Sequence, residues 1–287
     1  MDWGFVKVED WLGNSYRVAC FAMICHHCGT FYVEFFPNAR QENLFIGMIH
    51  AFMVMGVPEY VLTDNMKSVV LRRDSEGKPV WHTDYAAFMA CVGFKTKLCK
   101  PRHPFTKGKV ERLIRFVKEN FLAGKAFLNI TELNESAQKW CQDQGLEFRK
   151  AVGCIPHEKH TTICSSHVHE LLISESLSMY LCPRRKISFD GFVNYEGRRF
   201  GVPYWYTNQY CRVNREGRYL HVYSDDLSHE LAAHEITWSY RDSFCIDQYA
   251  DIEPEEQPSA PVTTTITQLE IPERDECFAK FNFERGL

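Results

Sequence analysis

At 287 residues the chain has room for one large domain or two smaller ones, and a hydrophobic content of 45% suffices for a packed core. No apolar run reaches membrane-spanning length and the first residues lack a secretory pattern, which sets aside a membrane protein, predicts a cytoplasmic one, and makes its 12 cysteines reduced thiols, mostly buried as small hydrophobes. The net charge of −4 is uneven: residues 1–125 hold 17 Lys and Arg against 12 Asp and Glu, residues 126–249 hold 13 against 16, and residues 250–287 hold 3 against 9, so an overall acidic chain conceals a basic first segment suited to a polyanion.

In chain order, Phe5–Glu9, Tyr16–Cys25 and Thr30–Phe36 are short aromatic and β-branched runs broken by Gly13-Asn14 and Gly29, the pattern of antiparallel hairpins. Gln41–Met55 places Leu44, Phe45, Met48, Ile49 and Phe52 at helical spacing and stops at Gly56. Tyr60-Val61-Leu62 is a brief buried strand that delivers Thr63 and Asp64 at its carboxyl end, where ligands collect in open α/β sheets. Residues 72–81 read as a polar loop or hairpin tip, Asp84–Val92 as a helix, Phe94–Leu98 as a strand and Pro101–Thr106 as a loop.

Lys107–Leu122 is the clearest helix. Val110, Leu113, Ile114, Val117 and Phe121 form its apolar face, while Lys107, Glu111, Arg115 and Lys118 form a separate polar stripe. Residues 126–180 read as a helical connector, with Thr131 as an N-cap. From Arg185 the texture changes to short strands at Lys186–Phe189, Phe192–Tyr195, Arg198–Val202, Gln209–Asn214 and Tyr219–Tyr223, which predicts a small β-barrel over 181–242. Residues 243–287 read as an acidic tail without stable structure.

Three carboxylates stand out: Asp2 at the head of the first strand, Asp64 at the end of another, and Glu111 on a helix among cations. Singly each has an ordinary reading, as an acid near a terminus, a turn acid, and a solvated helix residue paired with Lys107 or Arg115. Brought together they would repel one another, and hard divalent cations would relieve that repulsion. Two such ions would serve phosphoryl transfer, one activating the attacking oxygen and one stabilising the leaving oxygen. Lys95, Lys97, Lys100, Arg102, Lys107 and Lys109 lead into the helix as a strip suited to phosphates.

These residues, in Asp2-Trp3-Gly4, Leu62-Thr63-Asp64-Asn65-Met66-Lys67 and His103-Pro104-Phe105-Thr106-Lys107-Gly108-Lys109-Val110-Glu111-Arg112, resemble the D-D-E transposases and retroviral-type integrases, and within them the IstA-type transposases of bacterial insertion sequences. The 46 residues between Asp64 and Glu111 are also similar to that group, and the likeness extends over residues 2–240. The resemblance implies an RNase H-like mixed sheet flanked by helices over 1–125, then a helical connector and the small barrel. It implies that Asp2, Asp64 and Glu111 bind two Mg²⁺ or Mn²⁺ ions and are catalytic, that Asn65 is a polar residue beside them, and that Lys67, Lys107, Lys109 and Arg115 contact DNA. The implied activity is cleavage of DNA at the element's ends and transfer of the freed 3′-hydroxyl into target DNA. Implied partners are element-end and target DNA, further copies of the chain and an ATPase helper of the IstB type, in a nucleoid-associated setting.

The chain departs from that pattern in having only Met1 before Asp2, where the family has a longer first strand and an upstream helix-turn-helix region. The alternative expectation is therefore a truncated, non-catalytic fragment that binds DNA or multimerises; an RNase H-type nuclease is the third reading. Cys25-His26-His27-Cys28 and the run Cys154, His157, His160, Cys164, His167 and His169 hold ligand types for zinc, against a default of buried thiols and loop histidines. Tyr204, Trp205, Tyr206 and Tyr210 read equally as base-stacking or packing residues.

Overall fold

In the computed structural model of this protein the described residues are 1–99, 108–207, 209–217, 219–236 and 241–249. The chain is mixed α/β and divides into two compact units between Leu181 and Cys182.

The first unit starts with an antiparallel sheet. Strand β1 (Asp2–Glu9) pairs with β2 (Ser15–Ile24) from Asp2↔Ala22 to Glu9↔Ser15, and β3 (Phe31–Phe36) lies on the far side of β2. Asp10 closes the first hairpin: its buried carboxylate accepts hydrogen bonds from the Leu12 and Asn14 amides, the Asn14 side chain and the Tyr16 hydroxyl. Helix α1 (Gln41–Met55) spans the expected residues and packs Leu44, Met48, Ile49 and Phe52 into a core with Phe21, Phe36, Phe88 and Phe94. Each such buried side chain contributes roughly 1.5–3 kcal/mol.

After a two-residue strand β4 (Val57–Pro58), strand β5 (Tyr60–Thr63) runs parallel to β8 (Lys95–Leu98). The crossover that a parallel pair requires is made by the hairpin β6 (Val70–Arg73) and β7 (Pro79–Trp81), then helix α2 (Thr83–Val92). Helix α3 (Gly108–Phe116) passes into a π turn over Val117–Phe121, and its expected apolar residues Val110, Leu113, Ile114, Val117 and Phe121 are all buried. Helices α4 (Ile130–Leu146), α5 (Pro156–Thr162) and α6 (Glu175–Leu181) follow, with a 3₁₀ turn at Cys164–His167 and strand β9 (Val168–His169) on β4.

The N-cap of α4 is Asn129 rather than Thr131. Its side chain accepts from the Glu132 amide, and the Glu132 carboxylate accepts from the Leu128 amide, a reciprocal arrangement unavailable to a cap two residues later.

In the second unit β10 (Arg184–Lys186), β13 (Tyr210–Glu216), β14 (Tyr219–Ser224) and β15 (Glu230–Glu235) form one antiparallel sheet in the order β10-β13-β14-β15. The hairpin of β11 (Phe192–Tyr195) and β12 (Arg198–Gly201) adds Val193 and Phe200 to a core with Ile187, Val213, Leu220 and Val222. The strand expected to reach Phe189 stops at Lys186, because Ser188 and Gly191 close a turn whose tip leaves Phe189 87% exposed. Of the tail expected over 243–287, residues 243–249 are instead built into this unit: Ser243 bridges β12 and Gln248 is buried beside Gly201. Residues 250–287 lie outside the described residues. Among the described residues no helix is long and apolar enough to cross a membrane.

Candidate active site

Side chains alternate along β1. Trp3 faces the α1 core, edge-on to Phe21 and Phe36, so Asp2 and Gly4 face the other way, toward α3. Asp2 is 8% exposed there. The Met1 amine donates to the Leu62 carbonyl at 2.7 Å, which sets the head of β1 beside the carboxyl end of β5, and Asp64 follows β5 directly. Two acids 62 positions apart in the sequence are thus carried on neighbouring strand ends.

Helix α3 brings Glu111 to the same end. A Cβ placed on Gly4 would lie 2.5 Å from Ile114 Cγ2, so α3 rests on bare backbone at this point. Lys109 Nζ donates to the carbonyl of His26, just past the end of β2 that flanks Asp2, whereas Phe127, beyond the helix, hydrogen-bonds to Glu9 at the other end of β1. The start of α3 therefore lies at the Asp2 end. Glu111 precedes Ile114 by three residues, about 4.5 Å of helix, and Asp2 precedes Gly4 by two, about 7 Å of strand. Glu111 is exposed. The three carboxylates share one end of the unit, yet they are not among the described groups whose ligand atoms lie within 4.8 Å of one another.

Around them, Asn65 Oδ1 accepts from Arg73 Nη2 at 3.0 Å, a contact from β6 that no local sequence signal announces. Lys67 is exposed after Asp64, and Arg115 is exposed one turn after Glu111. Lys95 and Lys97 lie over the Tyr60 ring at 5.6 and 3.5 Å, so this stretch of the expected basic strip borders β5. Lys107, with Lys100 and Arg102, lies outside the described residues. In the second unit Tyr204, Trp205 and Tyr210 are exposed, with the Arg184 guanidinium 3.8 Å from the centre of the Tyr210 ring, while the Tyr206 hydroxyl is used internally by the Asp225 amide and the Tyr210 carbonyl.

No family model matches the chain. It is 29% identical over 238 residues to the putative transposase for insertion sequence element IS5376 of Geobacillus stearothermophilus, covering 80% of this chain and 57% of that protein. It is 27% identical over 244 residues to the transposase for insertion sequence element IS21 of Pseudomonas aeruginosa, covering 83% and 62%. Over a shorter stretch of 144 residues it is 31% identical to the transposase for insertion sequence element IS640 of Shigella sonnei, covering 50% and 45%. The chain thus spans less than two thirds of the length of these relatives. A chain from the simian T-cell lymphotropic virus intasome in complex with PP2A regulatory subunit B56 gamma aligns with 83% of this one at a TM-score of 0.40 and 12% identity, covering 76% of that chain, too loose a match to define the fold.

Proposed function

We propose that this chain, a homologue of the IS21-type insertion-sequence transposases, carries the catalytic core of a bacterial transposase that cleaves DNA at the ends of its element and joins the freed 3′-hydroxyl to target DNA. The reading is supported by the Met1–Leu62 bond and the packing of Ile114 on Gly4, which carry the segments bearing Asp2, Asp64 and Glu111 to one end of the first unit. In this reading residues 1–125 are an RNase H-like core, in which the β1-β2-β3 sheet and the β5-β8 pair would join edge to edge where Met1 bonds to Leu62. Residues 126–180 would then be the connector and 181–242 a small barrel formed by the sheet and hairpin of the second unit.

The donor set fits a hard divalent cation: all three groups offer oxygen, and one is almost withdrawn from water, where an unneutralised charge is costly. Asp2, Asp64 and Glu111 would hold Mg²⁺ or Mn²⁺, two ions per site. Bound there, such ions supply activation of the attacking oxygen and stabilisation of the leaving one. The chain's own part is positional. Lys67, Lys107, Lys109 and Arg115 would hold phosphates in register without reading bases, and Asn65, steered by Arg73, would orient a polar group beside the acids. Partners in this reading are element-end and target DNA, further copies of the chain and an IstB-type ATPase, in the cytoplasm.

The test is cleavage and joining of element-end DNA in Mg²⁺, alongside thermal stability during a metal titration. Wild type should gain stability with metal, and Asp64→Asn should not. Strand transfer by Glu111→Gln at the wild-type rate would falsify the catalytic assignment. DNA binding without cleavage or metal response, in a folded chain, would favour a non-catalytic, DNA-occupying role.

A further inference from the structure

Outside the acidic centre, another set of side chains converges. The sulfurs of Cys25, Cys28 and Cys164 lie within 4.8 Å of one another, and among the described residues no other group of three or more potential ligands does so. Cys25 Sγ and Cys164 Sγ are 4.0 Å apart, and His160 Nδ1 is 3.5 Å from Cys28 Sγ. A tetrahedral zinc ion with bonds of about 2.3 Å to sulfur and about 2.05 Å to nitrogen separates two sulfurs by about 3.8 Å and a sulfur from a nitrogen by about 3.6 Å. The two measured separations are close to those values; His160 Nδ1 reaches Cys28 but is not within 4.8 Å of all three sulfurs, so its ring would swing inward to complete a tetrahedral set.

We propose that Cys25, Cys28, His160 and Cys164 form a structural zinc site, distinct from the carboxylate centre and independent of its assignment. The first pair comes from a turn built for ligation. Cys25-His26-His27-Cys28-Gly29 reverses the chain between β2 and β3, with the Gly29 amide on the Cys25 carbonyl and Gly29 at φ +80°, where a side chain would be strained. The second pair comes from the last turn of α5 and the first residue of the 3₁₀ turn, spaced His-x₃-Cys. Two short-spaced pairs on separate elements are the usual construction of a closed structural zinc site.

The neighbouring candidates are otherwise engaged. Cys154 Sγ points to the Cys28 carbonyl, His169 Nε2 contacts the Val92 carbonyl, and His26, His27, His157 and His167 are exposed side chains outside the cluster. Four ligands remain, which matches the coordination number of a closed site. Its physical role follows from what it joins. Zinc would fasten the α5 segment to the β2–β3 turn, and the same turn presents the His26 carbonyl to Lys109, two residues before Glu111.

The site is tested on the full chain, purified under reducing conditions and assayed for zinc with excess Mg²⁺ present. One zinc per chain is expected, lost in Cys25→Ser and in His160→Ala and kept in His157→Ala. Cobalt in its place should give tetrahedral d–d bands and sulfur-to-metal charge transfer. Should the serine variant fail to fold, His160→Cys decides: it should retain the metal, with a cobalt spectrum that gains thiolate character. A folded wild type without zinc, zinc that survives both ligand-removing variants, or a Cys25–Cys164 disulfide in the metal-free chain would overturn the proposal.

Discussion

Asn134 stands in for a neighbouring strand at Phe35: its Oδ1 accepts from the Phe35 amide at 2.7 Å and its Nδ2 donates to the Phe35 carbonyl at 2.9 Å. One turn later in α4, Gln138 Nε2 donates to the Val33 carbonyl at 3.1 Å. Strand β3 is the free edge of the first sheet, and these amides occupy hydrogen-bonding groups that another chain would otherwise pair with. Asn134→Ala leaves both Phe35 groups without these bonds and should cost ~1–3 kcal/mol in urea denaturation. It should also raise aggregation during refolding, followed by light scattering. An unchanged midpoint would remove this role.

Gly4→Ala should be worse than its single methyl suggests. The added carbon would meet Ile114 Cγ2 at 2.5 Å, and α3 must move to admit it. Overpacking of this kind costs about 1–3 kcal/mol. Displacing Glu111 by about 1 Å should lower strand transfer about 100-fold while DNA affinity changes little. Adding Ile114→Val, which trims the opposing side chain, should recover part of both losses.

His50 and Glu34 tie α1 to β3, with Nδ1 at 3.0–3.1 Å from the two carboxylate oxygens. Burial pulls the imidazole down, but the Glu34 charge and hydrogen bond outweigh it and hold its pKa above the ordinary value of 6.5. A raised folded pKa contributes stability that is full below the unfolded value and lost as pH rises through the folded one. The melting-temperature gap between wild type and His50→Gln should therefore be widest at mildly acid pH and close as the pH rises past neutrality. A gap that widens with pH would contradict the pairing.

The cations should separate by salt dependence. Lys67→Ala and Arg115→Ala should each reduce the slope of log affinity for DNA against log salt by about 1, without changing thermal stability. Lys109→Ala should lower stability as well, because its ammonium holds the His26 carbonyl.

What could be read in advance was what local periodicity carries. The bounds of α1 and β11 were legible from apolar spacing and flanking glycines, and so was the buried stripe of α3 from Val110 to Phe121. Strand β15 was not, since Glu-Leu-Ala-Ala-His-Glu has little β propensity and owes its conformation to pairing with β14. The two-residue pair of β4 and β9 is too short for any pattern. The motifs singled out Asp2, Asp64 and Glu111, but that their segments share one end of the unit depends on the Met1–Leu62 bond and the bare backbone of Gly4. The thiol cluster shows the limit most plainly: Cys25 and Cys164 stand 139 positions apart, and each had a sufficient local reading as a buried thiol.

The π turn after α3 has its own consequence. With the Leu122 amide on the Val117 carbonyl, the helix accommodates one residue more than an α turn would. On one side of that extra residue, the rotation of the helix is set by Ile114 on Gly4; on the other, it is set by Phe121 among Phe35, Phe127 and Trp140. The helix therefore has two phases joined by a local slip. Sequence drift that repacks the aromatic end can be absorbed at the slip, leaving the azimuth of Glu111 untouched.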